Sequence, residues 1–179
     1  MNDGLIPARY AKALYKYAEE QGKTAQVYEQ MKRLEASFAD VDTLQSSVDN
    51  PYLPSGDKER VLLVASGAGE GECVDKFIKL VLKNNRVDNI RGMALAYQGI
   101  YRKANKIEKV VITTAAEIAP EELEKIQAIV KNYRKGMQLE FEKRIDADLI
   151  GGFTVRMEST LLDASVKNEL KKLRLKLLS

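Results

Sequence analysis

At Asn105 the spacing of apolar residues changes, and no single class of secondary structure accommodates both sides of the change. From Pro7 to about Asn105 apolar side chains recur every three to four residues, with breaks at Gly22, at Asp40 to Thr43, at Asn50-Pro51 with Pro54, at Gly67 to Gly71 and at Asn84-Asn85. These breaks divide the segment into six helices. The first carries Tyr10, Leu14 and Tyr17 on one stripe and Ala11, Tyr15 and Ala18 on a neighbouring one, with Pro7 suited to its first turn. The second repeats Val27, Met31, Leu34 and Phe38, and a short third groups Val41, Leu44 and Val48. A fourth starts after Pro54, with Ser55 as its N-cap before Leu62 and Leu63. The fifth spans about Glu72 to Lys83, and the sixth about Asp88 to Lys103 through Ile90, Ala94, Tyr97 and Tyr101. Short connections imply antiparallel neighbours in a bundle.

Beyond Asn105 the run Lys109 to Thr114 is β-branched and turn-bounded, and Met137, Leu139 and Phe141 alternate with Gln138, Glu140 and Glu142, as strands do. Between them Pro120 opens a helix with acids in its first turn and Leu123, Ile126, Val130 and Tyr133 on one face, closed by Gly136. Gly151-Gly152 precedes the alternating Phe153, Val155 and Met157, and Leu161-Leu162 is a short partner strand after a turn near 158 to 160. A last helix from about Ser165 sets Val166, Leu170, Leu173 and Leu177 at coiled-coil spacing, with Lys167, Lys171, Lys172, Arg174 and Lys176 over much of the remainder. The expected fold is α+β, mainly α: an N-terminal six-helix bundle over residues 1–105, then a small β-sheet domain with helices over 106–179.

Composition restricts the function. No run of about 18 uncharged apolar residues is present to span a bilayer. The opening Met1-Asn2-Asp3-Gly4 carries an acid and lacks the basic, apolar pattern of an export signal, so a chain that is not exported is expected. A net charge of +3, divided as +1 and +2 between the two segments, makes neither a basic domain. The chain has no histidine, the commonest general base near neutral pH and the commonest transition-metal ligand. Its single cysteine, Cys73, cannot form an internal disulfide and sits among Val74, Phe77 and Ile78 as a buried thiol, in keeping with a reducing compartment.

Gly67-Ala68-Gly69-Glu70-Gly71-Glu72 lacks the Lys-Ser or Lys-Thr pair that holds phosphate and magnesium in a P-loop, and reads as a flexible interhelical loop. Asp146 and Asp148, two apart with no further ligand nearby in sequence, read as a strand-end turn. No cofactor and no metal are expected. The first helix has nearly two apolar stripes where a small bundle needs one, and the surplus is a candidate docking groove. On the fifth helix Val74, Phe77, Ile78, Leu80, Val81 and Leu82 wrap most of the circumference; either this helix is the bundle centre, or it lines a groove for an amphipathic partner helix.

Ala8-Arg9-Tyr10-Ala11-Lys12-Ala13-Leu14, the Asn50-Pro51 break before a Lys-Glu-Arg helix, and Lys83-Asn84-Asn85-Arg86 each resemble matching parts of the delta (OSCP) subunits of F-type ATP synthases. Ile145 to Phe153, followed by Leu162-Asp163-Ala164-Ser165-Val166 and a Leu-rich end, is similar to that family's signature nearly in full. Two positions depart: Asn85 stands where the family usually has glycine, and Ala164 where glycine is frequent. The resemblance implies a non-catalytic peripheral-stalk subunit that resists rotor torque. It implies a groove of the first and fifth helices holding the N-terminal helix of an alpha subunit, carried over to Tyr10, Ala13, Leu14 and Tyr17 and to Lys76, Phe77 and Leu80. It implies contact between the C-terminal region and b-type stalk subunits, with Leu170, Leu173 and Leu177 as candidate contacts and Gly151 and Gly152 allowing close backbone packing or a strained turn there. It implies membrane association only through the complex and no nucleic-acid partner; the lack of a transit segment favours the cytoplasmic face of a bacterial plasma membrane, with a processed organellar chain as the alternative. The alternative from the residues is a helical adaptor binding nucleic acid or anionic membrane through its basic terminal helix; a small enzyme is the third reading.

Overall fold

The computed structural model describes residues 4–134, 136–158 and 160–178. The chain divides into two compact units, Met1–Ala104 and Asn105–Ser179, and the described residues are mainly helical with one four-stranded sheet.

The first unit comprises α1 (Leu5–Glu20), α2 (Thr24–Asp40), α3 (Asp42–Asp49), α4 (Ser55–Ser66), α5 (Cys73–Lys83) and α6 (Ile90–Ala104), with a 3-10 turn at Val87–Asn89. Helix α6 packs against both α1 and α2, while α4 bridges α2 and α5. Ile90, Met93, Ala94 and Tyr97 of α6 are wholly buried. The Tyr97 hydroxyl donates to the Thr24 carbonyl at 3.1 Å, satisfying the one polar group that this large side chain takes into the core. Burial pushes that phenol well above its usual pKa. Tyr101, one turn on, stacks on Tyr28 of α2 with ring centroids 4.3 Å apart.

Three local expectations are corrected here. Val41 does not join Leu44 and Val48 in the core: it takes extended backbone between α2 and α3 and is 48% exposed. Ser55 makes no side-chain cap; it is the first residue of α4, behind Pro54. The helix expected from Asp88 begins as the 3-10 turn and becomes α-helical only at Ile90.

The glycine-rich loop between α4 and α5 is tied down where flexibility was expected. Gly67, at φ +64°, ends α4. Gly69 N–H donates to the Glu72 carboxylate at 3.1 Å, and Gly71 N–H to that of Asp75 at 2.7 Å. Glu72 also accepts from Gln30 and Gln26 of α2, at 2.5 and 2.9 Å. Asp75, fully buried, accepts from Lys79 at 2.9 Å. Hydrogen bonding holds both carboxyls below their usual range, led by Gln30 for Glu72 and by Lys79 for Asp75. At the far end of α5, Asn85 adopts φ +51°. A left-handed residue there lets Arg86 N–H reach the Val81 carbonyl at 3.1 Å, which is why glycine suits the position and why asparagine, the best tolerated substitute, can replace it.

The second unit runs β1 (Ile107–Thr114), α7 (Pro120–Tyr133), β2 (Gln138–Ile145), a 3-10 turn (Ala147–Leu149), β3 (Gly152–Met157), β4 (Thr160–Ser165) and α8 (Val166–Leu178). Strand order is β2-β1-β3-β4. Strand β2 is parallel to β1, and α7 supplies the crossover that parallel neighbours require. Strand β3 pairs antiparallel with β1 and with β4. Val110 and Ile112 of β1 with Val155 and Met157 of β3 form one sheet face, and Leu123, Ile126 and Val130 of α7 complete this core. Glu108 lies on the same buried face, where Arg134 at the end of α7 pairs with it at 3.2 Å. Leu139 and Phe141 pack against the core as expected, but Met137 precedes the strand. Tyr133, expected on the buried face of its helix, is 68% exposed. Of the turn expected at 158 to 160, Glu158 is a turn residue and Ser159 lies outside the described residues.

Gly152 cannot be replaced without disturbing this sheet. Its φ is +73°, and an added Cβ would stand 2.2 Å from the Ala164 carbonyl oxygen of the neighbouring strand. Gly152→Ala is expected to cost about 2–4 kcal/mol of stability, from positive-φ strain together with a backbone clash, whereas Asn85→Gly should be neutral or mildly stabilising and Asn85→Val destabilising by about 1–2 kcal/mol; chemical denaturation of the three variants measures all of these. Because the folded-state pKa values of Glu72 and Asp75 are depressed, the unfolded chain takes up protons first as pH falls. Stability should therefore hold from neutral pH to about 4 and then decline. Asp75→Asn should flatten that decline in the same measurement repeated across pH.

Candidate docking surfaces

Helix α1 meets two different surroundings. Ala11, Leu14 and Ala18 are buried, and Tyr15 turns toward Tyr97 with ring centroids 5.9 Å apart. Tyr10, Ala13 and Tyr17, at intervals of three and four residues, are left on a second stripe beside α5. On α5, Val74, Ile78 and Val81 are fully buried while Leu80 is 47% exposed. Helix α5 is thus one wall of an open cleft, and α6, packed on both α1 and α2, holds the central position.

The cleft has a volume of about 230 Å³ and brings together all seven residues expected there: Tyr10, Ala13, Leu14 and Tyr17 from α1, with Lys76, Phe77 and Leu80 from α5. Leu14 and Phe77 form its buried floor. Its walls are tied across by polar and aromatic contacts. Lys76 donates to the Tyr17 hydroxyl at 3.1 Å, an interaction that raises the lysine pKa. Asn84 donates to the Tyr10 hydroxyl at 2.9 Å, and the Tyr10 ring meets Phe77 edge-on at 6.4 Å between centroids. Hydrogen bonds thus tie the two walls together at both ends of the cleft. Sequence reasoning did not include Cys73, a further lining residue, or Asn84. The signal was there, since Cys73, Phe77, Leu80 and Asn84 follow one another at three- and four-residue steps on one face of α5.

In the second unit, α8 is capped by Ser165, whose Oγ accepts from Asn168 N–H at 3.2 Å while its own N–H and O–H both donate to Asp163. Val166, Leu170, Leu173 and Leu177 all remain exposed, Leu177 to 86%. Gly151 and Gly152 serve the packing of their own unit. The Gly151 carbonyl accepts from Val166 N–H at 3.0 Å, and a Cβ at Gly151 would press on the Val166 side chain, also at 3.0 Å. A second apolar cleft, which sequence reasoning missed, lies between α7 and β4. It measures about 310 Å³ and is lined by Ile129, Tyr133, Met157 and Leu162 among others; the unexpectedly exposed Tyr133 forms part of its wall.

Asp146 accepts from Asp148 N–H at 3.0 Å, a local turn at the end of β2. Among the described residues no three His, Cys, Asp or Glu side chains gather as a metal site, and no helix is long and apolar enough to cross a membrane.

The family model of the ATP synthase delta (OSCP) subunit matches residues 6–177. ATP synthase subunit delta of Phocaeicola vulgatus is 37% identical over 172 residues, covering 96% of this chain and 92% of the relative. Its counterpart from Azobacteroides pseudotrichonymphae is 32% identical over 174 residues, covering 97% and 98%. Among solved structures, a chain of the Toxoplasma gondii mitochondrial ATP synthase hexamer has the same fold, with a TM-score of 0.72 at 22% identity over 97% of both chains. With the family model spanning nearly the whole chain and relatives above 30% identity along its length, the chain belongs to the ATP synthase delta (OSCP) subunit family, a family of structural and not catalytic subunits.

Proposed function

We propose that this chain works as a stator, the non-catalytic peripheral-stalk subunit that links the catalytic head of a proton-translocating F-type ATP synthase to the b-type stalk subunits. In this reading the six helices of the first unit form a bundle crowning the head. The α1/α5 cleft receives the N-terminal helix of an alpha subunit, and α8 meets the stalk. The chain lies at the cytoplasmic face of the bacterial plasma membrane and is held there only through the complex.

The observation that carries the reading is the preformed apolar cleft. An amphipathic helix presents apolar anchors at three- and four-residue steps, and a groove with a Leu14-Phe77 floor and Tyr10, Tyr17 and Leu80 on its walls matches that spacing. A stator does no chemistry, but it must not let go while the rotor turns. Slow dissociation follows from apolar burial in a rigid groove, because little conformational entropy is lost when the receiving surface is already ordered. The basic α8 keeps the helical adaptor as the competing reading, and the two differ in their response to salt.

Calorimetric titration of the full chain with a peptide of the cognate alpha-subunit N-terminus tests the proposal. Micromolar or tighter binding is expected, changing by less than about threefold between low and high salt, as suits an apolar contact. Tyr10→Asp with Leu80→Asp should weaken it by about a hundredfold or more, since charges are then buried beneath the peptide. A folded chain that ignores the peptide would end the docking proposal.

A further inference from the structure

We infer that α8 selects its partner by charge and takes a helix whose apolar stripe is flanked by carboxylates; the inference rests on the reading of α8 as the stalk contact and adds the chemistry of the segment that lands there. Val166, Leu170, Leu173 and Leu177 form a seam one residue wide, at the alternating four- and three-residue spacing of a coiled coil, and every one of them is exposed. Directly beside the seam stand Lys167 and Arg174 on one flank and Glu169 and Lys176 on the other, with Lys171 and Lys172 farther round. Five basic residues against one acid give the helix a net charge of +4. The acid nearest its start, Asp163, is already occupied by the N–H and O–H of Ser165 and has Lys172 beside it. Lys167, Lys171 and Arg174 have no acidic partner among the described residues.

Such a helix discriminates among occupants. A second copy would bring ten basic side chains against two acids along a seam of under two heptads, short of the three or four that sustain a coiled coil. An anionic lipid surface favours a broad apolar face, whereas here the seam is narrow and Leu175 lies on the opposite side of the helix. A helix with carboxylates at its stripe-flanking positions satisfies both features, covering the leucines and pairing with the flanking cations.

The test titrates the full chain with three labelled leucine-heptad peptides of equal length that carry Glu, Gln or Lys at the positions flanking the stripe, read by fluorescence anisotropy at low and high salt. The Glu peptide should bind about tenfold more tightly than the Gln peptide at low salt, the sum of several exposed ion pairs. That advantage should shrink at high salt, and the Lys peptide should bind most weakly. The Lys167→Glu, Arg174→Glu variant should reverse the order. Equal affinity for all three peptides would overturn the charge inference while leaving a stalk contact at α8 intact. Undiminished binding of a cognate b-type C-terminal segment to the Leu170→Ser, Leu173→Ser variant would instead remove α8 as the contact and the inference with it. Binding to phosphatidylserine vesicles and to none of the peptides would overturn it in favour of a lipid. All substituted side chains are exposed, and circular dichroism checks that each variant is folded.

Discussion

The packing of α1 against α6 governs what the first unit can present to a partner. Helix α6 buries Ile90, Met93, Ala94 and Tyr97 completely, and one face of α1, with Ala11, Leu14 and Ala18, is buried in the same core. Once that face is used, the remaining apolar residues of α1 cannot also enter the core. Tyr10, Ala13 and Tyr17 are left beside α5, where Lys76, Asn84 and Phe77 hold the tyrosines in place. The cleft is therefore a by-product of how a helix with two apolar stripes satisfies a core that accepts one. Its shape follows from the core, and its stiffness from contacts between its own walls.

Much of this was legible in the sequence because it depends on local spacing. The helical period located all six helices of the first unit, and the surplus of apolar positions on α1 and α5 marked the two walls. Sequence failed where the deciding contact is remote or the local signal is ambiguous. Val41 belongs to the apolar pattern of α3 by spacing but is caught in the extended link before it, so its side chain remains exposed. The loop from Gly67 to Gly71 has the composition of a flexible linker; its order comes from the carboxylates of Glu72 and Asp75, three and four residues beyond the N–H groups they bind, and Glu72 is itself fixed by Gln26 and Gln30 of a different helix.

The second unit was legible only in part for a related reason. Val110-Val111-Ile112 is apolar on both sides of β1, so alternation could not say which side is buried. Glu108 looks like a surface residue until Arg134, twenty-six positions later, pairs with it. The parallel pairing of β1 with β2 depends on a crossover, which no short window contains. The pair Gly151-Gly152 marks a close approach in the sequence, and in the fold β4 and the start of α8 make that approach.

The ties around the α4–α5 loop have a mechanical meaning. Helix α5 supplies one wall of the cleft, and its first turn is anchored from two directions: Glu72 is bound by the glutamines of α2, while Asp75 holds the loop backbone and Lys79, which also reaches Glu59 of α4 at 3.6 Å. In the proposed docking mode, tension on a helix in the cleft would not stop at α5. It would divide between α2 and α4 at the point where a bare glycine loop would have been the weakest link, so a pull on one wall would be borne by three helices in parallel.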